Sequence, residues 1–263
     1  MPLFLCCSSI HENGLETGVL VNGITALVYG NQFVANHVPL SEDGTITVNA
    51  FDADGNRGLQ SASVTVQPTT RQIELQVDFD SGLAPMENTL KFSKNFIASS
   101  RPDISYSGPA NMVAETGTEE NTWNISMTEP GIYIYTVEVR DENSVTYTDQ
   151  VAVLANDRVA LDTLLQEKWN GMKQALINGD SAGALEEFTL GQRELFQEIF
   201  TAAEGDLAQM ALDMQDIELI YQKNDTAEYR IRRDIIFKES PKTVTFYIYF
   251  QRERDGIWRI RDF

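Results

Sequence analysis

Histidine and cysteine are nearly absent from this chain: His11, His37 and the adjacent pair Cys6-Cys7 are all that 263 residues contain. That scarcity excludes a zinc-cluster domain and a multi-disulfide scaffold, and leaves almost no material for imidazole acid–base catalysis. Neighbouring cysteines rarely close a disulfide, because the geometry between them is strained. Basic side chains are also few, 20 Lys and Arg against 39 Asp and Glu, for a net charge of −19. Electrostatic binding to nucleic acid or to anionic lipid is therefore disfavoured. No apolar run reaches the ~20 residues of a membrane span, so no membrane insertion is expected. No cofactor pattern is present either. What remains is 42% hydrophobic and 22% charged, in a length that allows two or three domains at roughly 100–150 residues each.

Residues 1–12 read as an unstructured or truncated N-terminus. Met1 to Cys7 makes a poor signal peptide, with no Lys or Arg ahead of an apolar stretch short of the ~7–15 residues required. Leu3-Phe4-Leu5-Cys6 faintly matches a lipobox, but bulky Leu5 stands where a small residue belongs.

Over residues 13–68, Val- and Thr-rich runs alternate with Asn22-Gly23, Gly30-Asn31 and Asp43-Gly44. Thr45 to Ala50 alternates at period two, as a half-buried strand should. An antiparallel sandwich is expected. Val21-Asn22-Gly23, Phe33, Val38-Pro39-Leu40, Ile46-Thr47-Val48, Asp52-Ala53-Asp54-Gly55-Asn56 and Val64-Thr65-Val66 resemble bacterial Ig-like modules of the glucodextranase B type. That resemblance implies two further strands before the Val-Asn-Gly turn, where only residues 1–18 stand. It predicts an incomplete module with a missing or makeshift edge strand. Asp52–Asn56 fails the EF-hand pattern, since Arg57 and Ser63 occupy the Gly and Glu positions. It reads as a tight turn, with weak calcium binding at Asp52 and Asp54 as the alternative. His37 has no companions for a metal or catalytic set.

Residues 70–155 follow a short Pro68-Thr69-Thr70 linker. Ile73, Leu75, Val77 and Phe79 share one face of a strand, and Gly131 to Asp141 forms a longer one, so a second sandwich is expected. Gly82-Leu83-Ala84-Pro85 and Gly131, Tyr133, Val137, Val139 and Asp141 resemble the PKD (polycystic kidney disease) family of Ig-like domains. The family's Trp-x-Phe-Gly-Asp-Gly signature is replaced by Ile104 to Pro109, so the module is PKD-like. This segment has five basic against thirteen acidic side chains, in keeping with a solvated exterior.

Residues 157–263 change period. Leu161, Leu164, Leu165, Trp169, Met172, Leu176 and Ile177 recur at helical steps. Asp180 caps a second helix, Thr189-x-x-Gln192 forms a capping box, and the helix after it should turn Leu195, Phe196, Ile199 and Phe200 inward. A last short helix and four strands complete an α+β domain. This order, with Trp169, Met172, Ala175, Asp180, Ala184 and Phe188 and the ending Asp255-Gly256-Ile257-Trp258-Arg259-Ile260, resembles the nuclear transport factor 2-like (NTF2-like, SnoaL-like) superfamily. The resemblance implies a cone-shaped α+β fold that hosts isomerases, dehydratases, ligand binders and interaction domains alike. Without a His after residue 37, an imidazole site is excluded there, and no catalytic residue is assigned. Trp169, Met172, Phe188, Phe196, Tyr229, Phe246 and Trp258 are candidate pocket liners for a small apolar ligand, or plain core. Arg230, Arg232, Tyr247, Tyr249, Arg259 and Arg261 fall on the opposite strand faces and are candidates for an interface with a protein partner or a second copy; a sheet laced by Arg–Glu pairs is the alternative.

The expected architecture is multidomain: two all-β Ig-like sandwiches followed by an α+β NTF2-like cone. The family resemblances imply a non-enzymatic C-terminal fragment of an exported bacterial protein, periplasmic, cell-surface or secreted, with the sandwiches as spacers and the cone as the binding head. The alternative is a small-molecule carrier or an isomerase- or dehydratase-like enzyme using the cone pocket.

Overall fold

The computed structural model describes residues 4–6, 16–53, 56–65, 70–109, 113–237 and 240–263. They form two compact units, residues 1–157 with 254–257, and residues 158–253 with 258–263.

The first half of unit 1 has seven strands, β1 (Phe4–Cys6), β2 (Thr17–Val21), β3 (Ile24–Thr25), β4 (Leu27–Tyr29), β5 (Gln32–Ala35), β6 (Thr45–Asp52) and β7 (Arg57–Ser63). They make two sheets, β1-β5-β4 and β3-β2-β6-β7. Asn22 and Gly23, both at positive φ (46° and 82°), turn β2 into β3. The Asn22 side chain also binds across the module: it accepts from Thr47 N (2.7 Å) and donates to Pro39 O (2.8 Å) and Thr45 O (3.1 Å). Val19, Val21, Phe33, Ala35 and Ile46 fill the space between the sheets. Phe4–Cys6 is a strand within the segment expected to be unstructured or truncated. It pairs antiparallel with β5, Phe4 opposite Ala35, and so satisfies backbone groups that an open edge would leave unpaired. At the other sheet's edge, β7 is exposed along its whole length. Cys7, His11, Asp54, Val66 and the linker residues Pro68 and Thr69 lie outside the described residues.

The second half adds β8 (Ile73–Val77), β9 (Ser81–Leu83), β10 (Met86–Lys94), β11 (Asp103–Ser107), β12 (Val113–Thr116), β13 (Thr122–Met127), β14 (Gly131–Arg140) and β15 (Thr146–Asn156). One sheet runs β12-β13-β10-β8; in the other, β11, β14, β15 and β9 are neighbours in that order. The core is Leu75, Leu90, Phe92, Ile125, Met127, Tyr133, Tyr135, Val137, Val151 and Val153. Buried Asp149 joins the two sheets by accepting from Leu75 N at 2.8 Å.

Alternation along β5 and β15 explains how the two sandwiches come to share one unit. Phe33 and Ala35 point into the first core and Val151 and Val153 into the second. Their intervening neighbours Val34, Ala152 and Leu154 are buried as well and cluster with Leu27. Strands apolar on both faces must be covered on both. The Asn36 amide completes the seam by accepting from Ala152 N (2.8 Å) and donating to Ala152 O (2.9 Å), in the manner of a strand neighbour.

Unit 2 has helices α1 (Arg158–Ile177), α2 (Ser181–Glu186), α3 (Arg193–Ala202) and α4 (Leu207–Asp213), then strands β16 (Glu218–Lys223), β17 (Thr226–Phe237), β18 (Ser240–Arg252) and β19 (Trp258–Asp262) in an antiparallel meander. Asp180 caps α2 by accepting from Gly183 N at 2.9 Å. The expected capping box fails: Gln192 is the N-cap of α3 and makes no side-chain cap bond. Phe196 and Phe200 face inward as expected, but Leu195 and Ile199 are exposed, because the buried face of a ten-residue helix is narrower than four apolar residues. Donors along α1 are fastened to the chain leading into and through β16. Lys173 Nζ reaches Met214 O, Trp169 Nε1 Gln215 O, Gln166 Nε2 Ile217 O and Arg158 Nη2 Leu219 O, at 2.6–3.2 Å.

Two outcomes follow from unit 1. Asn36→Ala removes both bonds to Ala152, so exchange of the Ala152 amide should quicken about tenfold or more, read by hydrogen–deuterium exchange. Burial pushes the Asp149 carboxyl above the ordinary aspartate range. A raised carboxyl favours folding below the unfolded-state value and disfavours it once pH rises through the folded one. Asp149→Asn should therefore raise the melting temperature at neutral pH, and the gain should shrink as pH falls through the raised folded value and be gone below about 4.

Candidate functional site

The interior of unit 2 is built on Phe188. Its ring centre lies 4.1 Å from Phe196, 5.9 Å from Phe200 and 5.9 Å from Phe263. Phe263 stacks on Phe196 at 5.3 Å and receives the edge of Trp169 at 5.2 Å. The backbone around Phe188 is fixed as well: Ile260 N donates to Glu187 O (2.7 Å) and Thr189 N to Ile260 O (2.9 Å), so the segment after α2 lies against β19.

Of the proposed pocket liners, Trp169, Met172, Phe188, Phe196, Tyr229 and Trp258 are at most 7% exposed, and Trp169, Phe188 and Phe196 belong to this ring cluster. Phe246 is 52% exposed. The alternation that put it on the apolar face is right, since it follows Phe250 and Ile248 at period two, but it stands where the β17–β18 hairpin has run past its cover. Phe263, which sequence reasoning did not select, takes part in three of the ring contacts.

Tyr229 is wholly buried, 5.3 Å edge-on to Phe250, and its hydroxyl donates to Asp162 Oδ1 at 3.0 Å. Burial, then the adjacent carboxylate, holds that hydroxyl well above the ordinary tyrosine range. Tyr229 is a neutral donor occupied by one acceptor. The pair is 67 residues apart in sequence, and no local pattern links the two.

The outer sheet face gathers the interface candidates into two rows. In one, Glu218, Arg230 and Tyr247 are cross-strand neighbours. Arg230 grips Glu218 through two bonds, 2.9 Å and 2.6 Å, and this holds the Glu218 carboxyl below its ordinary range and the Arg230 guanidinium above its own. In the other, Tyr221, Glu228 and Tyr249 are neighbours, and the Arg261 guanidinium lies 4.8 Å over the Tyr249 ring. Partial burial and a hydrogen bond to Glu228 raise the Tyr221 hydroxyl. Arg259 is mostly covered and pairs with Glu253 at 2.9 Å. Arg232 is exposed further along β17. The face carries the Arg–Glu pairs of the alternative reading, and in it Tyr221 and Tyr247 stand 43% and 49% exposed.

On unit 1, open grooves of about 340 Å³, beside Tyr29, Gln32 and Ser107, and about 450 Å³, beside Asp78, Glu87 and Glu115, interrupt the surface. Asp52 accepts from Asn56 N (2.8 Å) and Nδ2 (2.7 Å), which accounts for its turn. No group of three or more His, Cys, Asp or Glu side chains is placed to hold a metal ion among the described residues.

Phe188→Ala should cost about 3–5 kcal/mol and Phe246→Ala less than about 0.5 kcal/mol, measured by urea unfolding followed through tryptophan fluorescence.

No protein-family model and no curated protein matches the chain. Among solved structures it is similar to the protocadherin GammaB4 extracellular domain, at 10% identity and a TM-score of 0.25 over 53% of this chain and 25% of that one. It is similar to the human desmocollin-1 ectodomain at 14% identity and a TM-score of 0.23, covering 55% and 31%. It is also similar to Bacteroides ovatus SGBP-B of a mixed-linkage glucan utilization locus, in complex with a mixed-linkage heptasaccharide, at 11% identity and a TM-score of 0.20, covering 58% and 41%. The chain therefore spans 25–41% of the length of these structures. No helix among the described residues is long and apolar enough to cross a membrane.

Proposed function

We propose that this chain is a non-enzymatic part of an exported or cell-surface protein, in which unit 2 is a binding head that works through its outer sheet face. The observation that carries this reading is the interior of unit 2, where Trp169, Phe188, Phe196 and Tyr229 are buried against aromatic rings and Met172 and Trp258 are buried as well. Helices followed by an antiparallel meander support the NTF2-like resemblance for this unit, and the paired sheets of unit 1 support Ig-like and PKD-like spacers.

The outer face suits protein recognition for a physical reason. Tyrosine and arginine bring large planar groups with polar ends, and they are enriched where proteins meet. Glu218 and Tyr249 already hold Arg230 and Arg261 extended. Side chains ordered before contact lose less conformational entropy on binding.

Photo-crosslinking tests this reading. A photoreactive phenylalanine replacing Tyr247 should give adducts with a specific partner in native extracts, and one replacing exposed Ile97 should not. The adducts should fall about tenfold or more with Arg230→Glu and Arg261→Glu together. Equal adducts from both positions, or none from either, would contradict it.

A further inference from the structure

The β17–β18 hairpin continues beyond its covered end. Across it, Tyr229 faces Ile248, Ile231 faces Phe246 and Arg233 faces Val244, all on the side that faces the cone interior. Tyr229 and Ile248 are buried; Ile231 and Val244 are half-buried, and Phe246 and Arg233 are exposed. The core face thus runs out into an uncovered arm, apolar along its middle and carrying Arg233.

The same unit exposes a second apolar strip. Leu195 and Ile199 stand one turn apart on α3, with Glu194 and Glu198 beside them, all exposed. Charge separates in the same sense: residues 158–216 carry eleven carboxylates and four basic side chains, and residues 217–263 carry ten basic and eight acidic ones. Arm and helix match in both respects, apolar centre to apolar centre and guanidinium to carboxylate. Both are uncovered within one copy, so they do not cover each other there.

We infer that the arm of one copy of this chain lies along α3 of a second copy, with Ile231, Val244 and Phe246 against Leu195 and Ile199, and Arg233 beside Glu194 and Glu198. Reciprocal exchange buries each strip twice and closes as a two-fold pair. This surface is the side of the hairpin opposite Arg230 and Tyr247, so the inference stands apart from the sheet-face reading.

Sedimentation velocity of the full chain over about 1–100 µM tests it. A dimer is expected that weakens in about 0.5 M salt, because exposed ion pairs are screened. Arg233→Glu should weaken it about tenfold or more, and Glu194→Lys with Glu198→Lys should restore it in that background. In a Cys6→Ser, Cys7→Ser chain, Ile199→Cys with Phe246→Cys should oxidise to a disulfide between copies. Glu194, Glu198, Ile199, Arg233 and Phe246 are exposed, so a melting temperature unchanged from that of the Cys6→Ser, Cys7→Ser chain certifies folding. A monomer throughout, a dimer indifferent to these changes, or a bridge within one copy would overturn the inference. A partner crosslinked at position 247 alongside any of those results would leave the sheet-face reading standing.

Discussion

The packing of Phe188 holds unit 2 together. Its ring meets Phe196 and Phe200 from α3 and Phe263 beyond β19, and its neighbours Glu187 and Thr189 bond to the Ile260 backbone. Helices and sheet are joined at one residue by both hydrophobic and backbone means. With α1 fastened through Arg158, Gln166, Trp169 and Lys173, the helical layer has little room to lift.

Unit 1 answers to a related constraint, strands that are apolar on both faces. Val34, Ala152 and Leu154 would meet water in an isolated sandwich. Their burial, with the Asn36 amide across Ala152, makes the two modules one body. The two sandwiches are thereby held as one compact unit and not as beads on a flexible linker.

Period and turn chemistry made most elements legible in the sequence. The alternation of Thr45 to Ala50, the Asn22-Gly23 turn, the Asp180 cap and the buried stripe of α1 are all local signals, and local signals fix local structure. What the sequence withheld depends on distance. Alternation placed Phe246 on the correct face but carries no information on how far the helices extend over it. Leu195 and Ile199 have the spacing of an inward face, yet only two of the four apolar positions on α3 are covered. Tyr229 with Asp162, and Asn36 with Ala152, meet only through the tertiary fold. The interface candidates were legible as residue types, with Arg–Glu lacing as their alternative; that Glu218 is the partner of Arg230 became visible only with strand register.

A closed interior in unit 2 is tested most directly by methyl NMR of the full chain labelled at methionine, with the Met172 resonance assigned by Met172→Leu. Met172 is fully buried on α1. Titration with small apolar ligands such as benzene or indole should leave its shift unchanged while exposed Met210 responds weakly and without saturation. A saturable shift of Met172 would show a cavity open to ligand and contradict the account.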